Sequence, residues 1–312
     1  WRGSTRFSRD GGRAAAMNGV GKWFCRLLPV LSLLLLLPAA AQALSCAVCG
    51  RQIHGQYLRT EGKIVCSPGC WEKLLPHCSV CDSPLAGRYT VIDTGAEKRL
   101  FCMECAKLPR CFACDLPCRG EQLPDGRTLC GSCLATAVTD PAEAEKLFRE
   151  VEREVAGLLG SPGCGRTGFV LCDLATLNRG REIVPGGKYE LGRCNYEYRT
   201  RTYPGRKPEI VSERCTILIL DALPRDQFIE VAAHEAAHDW LNHHGRFLPP
   251  SWSEGFPEYV ASLVNLRHGN GSRNLRMEKN EDPVYGAGFR EVKAYADRHG
   301  LRKLLEYVRR TR

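Results

Sequence analysis

The sequence lacks two features that would point to nucleic-acid or membrane association: a concentrated basic run and a long hydrophobic span. Lys and Arg number 44 against 35 Asp and Glu, but residues 1–43 hold six of the basic residues and one acid, which leaves 38 against 34 elsewhere. This small, scattered surplus gives little reason to expect a nucleic-acid partner. With 44% hydrophobic and 25% charged residues, the chain is not collagen-like, mucin-like or wholly disordered.

The leucine-rich run at residues 27–37 is too short to cross a bilayer, which takes roughly 20 apolar residues. It follows Met17, Lys22 and Arg26 and precedes Ala41-Gln42-Ala43. A basic start, a short apolar core and a small-x-small end are typical of a secretory signal peptide. We therefore expect cleavage after Ala43 and a secreted or periplasmic protein with no stable membrane anchor.

Cysteine is the unusual component, with 18 residues, and 12 of these fall into three copies of one unit. The unit recurs every 32 to 33 residues and holds two close cysteine pairs separated by 15 to 20 residues. The first copy contains Cys46, Cys49, Cys66 and Cys70; the second contains Cys78, Cys81, Cys102 and Cys105; the third contains Cys111, Cys114, Cys130 and Cys133.

This spacing lets two turns deliver four sulfurs to one tetrahedral zinc ion. A unit of about 30 residues buries too little apolar surface to fold alone, and metal binding supplies the missing free energy. Disulfides are the alternative that export would favour, but close CxxC pairs more often chelate a metal. We predict three structural zinc ions. Cys164, Cys172, Cys194 and Cys215 could form up to two disulfides.

The pattern changes after Cys133. Asp140, Pro141 and Glu143 form a helix start, and Gly160 ends the helical periodicity. The expected domains are residues 1–43 with the signal peptide, 44–135 with three cysteine modules, and 136–312. The last domain is predicted as α+β, with short strands near 169–171 and 216–220, a hairpin or loop between them, and helices near 225–243, 252–266, 286–298 and 301–310.

His234, Glu235 and His238 form an HExxH motif within a helical segment. At 3.6 residues per turn both histidines lie on one face and can bind one zinc ion. Glu235 is then placed to hold a water molecule and act as a general base. The alternative is an amphipathic helix with two histidines in a polar patch.

A catalytic zinc ion of this kind needs a third protein ligand. His244 stands six residues after His238, but the turn it would require needs a glycine where Leu241 stands. Glu254 stands sixteen residues after His238 in the next helical segment, so we favour Glu254. Glu258, one turn further, is either an orienting partner or a solvated charge.

Tyr285 is the candidate donor to the oxyanion that peptide hydrolysis generates. It lies in the glycine-rich segment 282–290, where a packed tyrosine is an equally good interpretation. Together these patterns predict a zinc peptidase with one catalytic and three structural zinc ions, acting on a protein or peptide substrate. The alternative is a zinc-stapled binding module with an inactive peptidase domain.

LIM-like cysteine modules, an HExxH helix, Ser253-Glu254-Gly255-Phe256 and segment 282–290 resemble the plant "DA-one" growth-regulating peptidases and their bacterial relatives. The resemblance spans nearly the whole chain after the predicted signal peptide. It matches the motif residues to His234, Glu235 and His238, and the Glu-Gly dipeptide to Glu254-Gly255. It implies a mainly helical, gluzincin-like peptidase domain behind zinc knuckles, in a protein from an exporting bacterium.

The sequence departs from that family at several points. It has a predicted signal peptide and no acidic ubiquitin-interacting helices before the cysteines. Cys66 and Cys102 replace LIM-type histidines, and five residues separate Cys105 from Cys111 where a LIM module has two. These departures favour independent knuckles over fused finger pairs, and they leave ubiquitin dependence and the plant substrates outside the expectation.

Overall fold

The computed structural model describes residues 44–60, 62–95, 97–164, 167–179, 189–205, 208–244 and 248–310. The predicted signal peptide, within residues 1–43, lies outside this set. No helix in these ranges is both long enough and apolar enough to cross a membrane. The chain divides into two compact units, one ending at Pro76 and one starting at His77, and each is described by itself.

Residues 44–76 form one cysteine module. An antiparallel hairpin of β1 (Leu58–Thr60) and β2 (Lys63–Val65) precedes a single helical turn, α1 (Pro68–Glu72). Ser67 caps that turn by accepting a hydrogen bond from the Cys70 N–H. Val65 is fully buried beside Cys46 and Cys70, so the small core of this module is built around its sulfurs.

The unit that starts at His77 contains the other two modules, which repeat this plan. The second has the hairpin β3 (Tyr89–Asp93) and β4 (Lys98–Cys102) and a short 3₁₀ turn (Cys105–Lys107). The third has β5 (Glu121–Gln122), β6 (Thr128–Leu129) and α2 (Gly131–Leu134). Isolated bridges recur at equivalent positions of all three modules: Ser45 with Gln52, His77 with Pro84, and Arg110 with Pro117. The sequence repeat is therefore a structural repeat.

The remaining elements form a mixed helical and stranded domain. They are β7 (Ala137–Val138), α3 (Pro141–Leu159), β8 (Thr167–Cys172), α4 (Leu174–Leu177), β9 (Gly192–Arg201), β10 (Glu209–Leu220), β11 (Leu223–Pro224), α5 (Arg225–His244), α6 (Pro250–Arg267), α7 (Gly271–Glu278), α8 (Tyr285–His299) and α9 (Leu301–Arg310). This confirms the predicted α+β class, with cysteine knuckles first and a mainly helical part after them.

Helix α3 confirms the local start and stop signals in the sequence. The Asp140 side chain accepts a hydrogen bond from the Glu143 N–H, Pro141 is the first helical residue, and Gly160 ends the helix with φ of 76°. Its buried stripe packs into a core shared with β8, β10 and α5. Four of the described helices were not expected from the sequence: the short helices α1, α2 and α4, and the longer α7.

The three-stranded sheet has the order β8-β10-β9. Strand β10 pairs in parallel with β8 and antiparallel with β9. The polar stretch between the two predicted strands was expected to be a hairpin or a loop. It contains β9 and the first part of β10, which form an antiparallel pair and so agree with the hairpin. Residues 180–188 of this stretch lie outside the described set. Helix α5 packs against this sheet, and Phe228, Ala232, Ala233 and Ala237 are fully buried there.

Helices α6 and α8 cross at two glycines. A Cβ atom added at Gly288 would lie 3.2 Å from the Gly255 Cα and would clash with the Ser251 carbonyl oxygen. Backbone contact of this kind leaves no room for a methyl group. Because α6 carries Glu254 and α8 begins at Tyr285, this crossing fixes the distance between the two candidate site residues.

We expect Gly288→Ala to lower the free energy of unfolding by about 1–3 kcal/mol, because the added methyl group pushes α8 away from α6. Denaturant unfolding of the full chain measures the change. Gly157→Ala in α3 is the matched control, since no atom lies within 4 Å of its added Cβ, and it should be neutral or stabilising. Equal losses in both variants would contradict a tight crossing.

The third module packs into the core of its unit. Strand β7 pairs with β11, and Ala222 shares a buried cluster with Cys111, Cys118 and Leu129. The buried Arg127 guanidinium donates to the carbonyl and carboxylate of Asp221, and it lies over the Phe112 ring at 5.2 Å. The module is therefore continuous with the sheet and α5, rather than attached by a free linker.

Candidate metal centre

Helices α5 and α6 bring together His234, His238 and Glu254. The Nε2 atoms of the two histidines lie 3.0 Å apart. The Glu254 Oε2 atom lies 3.5 Å from the Nε2 of His234 and 3.3 Å from that of His238. Pro250 is the first residue of α6, and α6 packs against α5, so that Glu254, 16 positions after His238, reaches the same point.

These distances fit a shared zinc ion. Ligand atoms bound at about 2.0–2.1 Å to a tetrahedral zinc lie about 3.3 Å from one another. The three measured separations of 3.0, 3.3 and 3.5 Å surround that value. Two imidazole nitrogens and one carboxylate oxygen are also a donor set that zinc accepts with a fourth position left open.

The electrostatics of the cluster favour a cation. Burial alone lowers the pKa of His234, but the hydrogen bond with Glu254 and the charge of Glu258 outweigh it and raise that pKa to about 9. Burial raises the pKa of Glu254, and hydrogen bonds with His234 and His238 outweigh it, so the pKa lies well below its usual range. A divalent ion would meet an ionised carboxylate and a locally negative field.

Glu258 faces the far nitrogen of His234. Its Oε1 atom lies 3.6 Å from His234 Nδ1, and burial raises the pKa of Glu258 to about 7. A carboxylate beside this nitrogen would favour the tautomer with its proton on Nδ1, which leaves Nε2 free to bind a metal. Of the two interpretations open at the sequence level, the structure favours the orienting partner over the solvated charge.

We expect Glu258→Gln to weaken zinc binding at this centre by about 10–100-fold, because an amide holds the His234 tautomer less strongly. Competition with a fluorescent zinc chelator measures the affinity. Glu281→Gln is the control, since that side chain is exposed. Unchanged affinity in both variants would show that Glu258 does not orient the ligand.

Glu235 and Tyr285 lie at the same centre. Glu235 is 7% exposed, and burial raises its pKa above the ordinary value, while the charges of His234 and His238 act in the opposite direction. The Tyr285 ring lies 6.4 Å from the His234 ring, with 24° between their planes. Burial and then the Glu254 charge raise the pKa of Tyr285 to about 12, so its hydroxyl keeps the proton that an oxyanion donor needs.

His244, the other candidate ligand, points elsewhere. Its ring stacks on Trp240 at 4.5 Å, and its Nε2 atom lies 3.2 Å from the Ser161 hydroxyl. The group of possible metal ligands on α5 and α6 is His234, His238 and Glu254, without His244. Sequence spacing could not exclude His244, because the stacking partner comes from the same helix and the hydrogen-bond partner from a distant loop.

The structure gathers all twelve module cysteines into their predicted groups of four. Within each group the sulfurs lie within 4.8 Å of one another, and adjacent Sγ atoms are 3.6 Å (Cys49 and Cys66), 3.7 Å (Cys66 and Cys70) and 3.9 Å (Cys81 and Cys102) apart. Sulfurs bound at about 2.3 Å to tetrahedral zinc lie about 3.8 Å apart, whereas a disulfide needs about 2.05 Å. The tetra-cysteine groups therefore suggest zinc binding.

Backbone N–H groups support the thiolate form in these modules. The Cys49 N–H, with smaller contributions from others, lowers the pKa of Cys46 to about 6. At Cys78 burial acts in the opposite direction, but the N–H groups of Cys81 and Cys102 outweigh it and bring that pKa to about 6. The Cys49 thiol and its neighbours raise the pKa of Cys66 to about 11, so the backbone donors favour the thiolate, the form that a metal ion binds, at Cys46 and Cys78 but not at Cys66.

One ion-pair network next to the candidate site was not predicted from the sequence. Arg273 of α7 donates to both carboxylate oxygens of Glu230, at 2.7 and 2.9 Å, and to Asp226 at 3.3 Å. The Arg273 side chain is 11% exposed, and its network ties α7 to the first turns of α5, the helix that carries the HExxH motif. Glu230 is one helical turn before His234 on α5, so the sequence could have placed Glu230 on the same helix face as the HExxH motif. It could not have identified Arg273 as the partner of Glu230.

Cysteine modules of this geometry, in front of a helical domain, define a zinc-binding protein of LIM-like organisation. The chain is 27% identical to Protein DA1 of Arabidopsis thaliana over 330 aligned positions, covering 85% of this chain and 62% of that protein. It is 27% identical to Protein DA1-related 1 of the same plant, covering 65% and 48%. It is 24% identical to LIM domain-containing protein HDR3 of Oryza sativa subsp. japonica, covering 86% and 68%.

These relatives support kinship with the DA1 family and with a zinc-binding class of proteins. All of them are plant proteins, and nothing among them supports the expected bacterial source. The chain spans about three fifths of the length of Protein DA1 and about half that of Protein DA1-related 1. No protein-family model and no solved structure matches the chain.

Proposed function

We propose that this chain is an exported zinc-dependent endopeptidase. The observation that carries the proposal is the cluster of His234, His238 and Glu254, whose ligand atoms lie 3.0 to 3.5 Å apart beside the buried Glu235. Two helices contribute to it, which gives a three-ligand centre of the catalytic rather than the closed structural type. Export follows from the predicted signal peptide ending at Ala43.

His234, His238 and Glu254 would hold the zinc ion, and Glu258 would orient His234 from its other ring nitrogen. Bound there, zinc would lower the pKa of a water molecule and polarise the scissile carbonyl. The carboxylate of Glu235 accepts a proton from the attacking water and delivers it to the departing amine nitrogen. The Tyr285 hydroxyl donates to the oxyanion that develops on the carbonyl oxygen.

The substrate in this proposal is a protein or peptide, and the cysteine modules contribute to its binding. Each of two modules exposes a tyrosine at the equivalent position, with Tyr57 47% exposed and Tyr89 41% exposed. Exposed aromatic residues on a metal-stapled module are typical of a protein-binding surface. Three structural zinc ions would hold the modules in shape.

The test uses the purified full chain with fluorescently labelled, denatured casein. Cleavage should fall to background after treatment with 1,10-phenanthroline and return when one to four equivalents of zinc are restored. The structural zinc ions bound by four thiolates should exchange more slowly than the three-ligand centre, so a short treatment separates the two classes. Cleavage that persists at full rate without zinc would refute the proposal.

The exposed tyrosines also favour a second candidate, a zinc-stapled binding module with an inactive peptidase domain. The two candidates make different predictions in the same assay. A binding module retains casein or its natural partner without cleaving it, whether or not zinc is present at His234. Absence of cleavage by zinc-loaded wild type would therefore favour this second function.

A further inference from the structure

Three potential metal ligands come together where helix α5 packs against strands β9 and β10. Cys194 lies on β9, Cys215 on β10 and Asp239 on α5, directly after His238 in the sequence. One ligand atom from each of the three residues lies within 4.8 Å of the others, and the two Sγ atoms are 3.3 Å apart. Cys194 pairs with Ile217 in the register of the sheet, so both cysteines project from the same face of neighbouring strands.

Asp239 is buried without a strong cationic partner. The residue is 3% exposed, and its Oδ2 atom accepts hydrogen bonds from the Cys164 N–H at 3.0 Å and the Thr167 hydroxyl at 2.9 Å. Its Oδ1 atom lacks a well-formed hydrogen bond in the described part of the chain, and the Cys215 thiol interacts with the carboxylate. His243 Nδ1 lies 3.4 Å from Oδ1, but it already faces the Asp239 carbonyl oxygen at 2.7 Å.

A buried carboxylate with an unsatisfied oxygen is costly unless a cation compensates it. Among the residues that the structure describes, no Lys or Arg pairs with Asp239. Two sulfurs next to that carboxylate are donors that a soft divalent metal prefers. The arrangement therefore has both a charge to be compensated and the ligands to hold the ion.

We propose that Cys194, Cys215 and Asp239 bind a further divalent metal ion, with zinc as the natural occupant. Binding forms two metal–sulfur bonds and one metal–oxygen bond, and the two thiol protons pass to solvent. The 3.3 Å between the sulfurs is nearer to the roughly 3.8 Å edge of a tetrahedral zinc–thiolate site than to a disulfide bond of about 2.05 Å. A water molecule completes the coordination.

The surroundings allow metal entry and favour a metal over a disulfide. Asp239 also lines a cavity of about 610 Å³, together with Gly163, Cys164 and Thr167, so its carboxylate can be approached from that side. A Cys194–Cys215 disulfide would leave the Asp239 carboxylate beside neutral sulfur, with its charge still uncompensated. The bound metal would instead tie β9 and β10 to the helix that carries His234 and His238.

The test counts metal in the full chain after reconstitution with zinc and removal of excess ion. Inductively coupled plasma mass spectrometry should find one zinc ion per chain fewer in Cys215→Ser and in the isosteric Asp239→Asn than in the wild type. Cys172→Ser is the matched control, because Cys172 is also buried in this sheet but belongs to no group of potential ligands. Its zinc content should equal that of the wild type.

A second measurement uses the wild type alone, so it does not depend on the variants folding. Iodoacetamide should label Cys194 and Cys215 slowly in the zinc-loaded protein and rapidly after chelation, as mapped by peptide mass spectrometry. Equal zinc content in all four proteins would overturn the proposal. So would a Cys194–Cys215 disulfide, detected as a peptide pair two hydrogens lighter that resists labelling with or without chelator. Neither readout depends on peptidase activity.

Discussion

Replacing Glu235 with Gln is expected to lower peptide hydrolysis by a factor of about 10²–10⁴, the range measured for loss of a general base. The amide keeps the shape of the carboxylate but cannot accept the proton of the attacking water. Because Glu235 is not one of the three clustered ligands, the zinc content of the variant should equal that of the wild type. Initial rates on labelled casein and metal analysis of the same samples measure both quantities.

Glu121→Gln provides the control for this experiment, since Glu121 lies exposed on β5 in the third module. It should cleave at the wild-type rate. If the Glu235→Gln variant keeps both its zinc and its full activity, Glu235 is not the general base. Loss of zinc together with activity would instead show that Glu235 maintains the metal centre.

Replacing Cys130 with Ser is expected to unfold the third module and to destabilise the domain behind it by several kcal/mol. Zinc binding contributes about 10–16 kcal/mol to the folding of small zinc-finger peptides, so losing one of four thiolates is severe. Unfolding of the module should also destabilise the domain that follows it, because two contacts join them. Arg127 donates a hydrogen bond to Asp221, and the Phe112 and Tyr189 ring centroids lie 5.8 Å apart. Thermal unfolding and casein cleavage should both show the defect.

Cys118→Ala separates metal loss from loss of packing. Cys118 is buried in the same module but lies outside its group of four sulfurs. This variant should keep its zinc and lose only about 1–2 kcal/mol from the smaller side chain. If Cys130→Ser unfolds at the same temperature as wild type, the third module is not an integral part of the domain.

Sequence signals worked best where the physics is local. Helix α3 begins and ends at the expected residues because a cap, a first-turn proline and a terminal glycine act within a few residues. The cysteine repeat likewise specified which four sulfurs meet, because each hairpin is short and brings its own two pairs together. The predicted boundary near residue 136 stays a prediction, and so do export and the signal peptide.

The sequence was less informative where stability comes from distant contacts. Helix α7 (Gly271–Glu278) has a polar sequence, and Arg273 ties it to Glu230 and Asp226 on α5. The parallel pairing of β8 with β10 joins segments separated by more than thirty residues. Neither contact leaves a periodic signal, so neither could be derived from spacing alone.

At the candidate metal centre the sequence by itself determined that His234 and His238 share one helical face, because helix periodicity fixes residues four apart. The tertiary structure decided that Glu254 joins them while His244 stacks on Trp240. It also decided that Glu258 and Tyr285 complete the surroundings, and that Cys194 and Cys215 meet Asp239 behind the same helix. These outcomes depend on how α6, α8 and the sheet pack against α5, and packing geometry is a property of the whole folded chain.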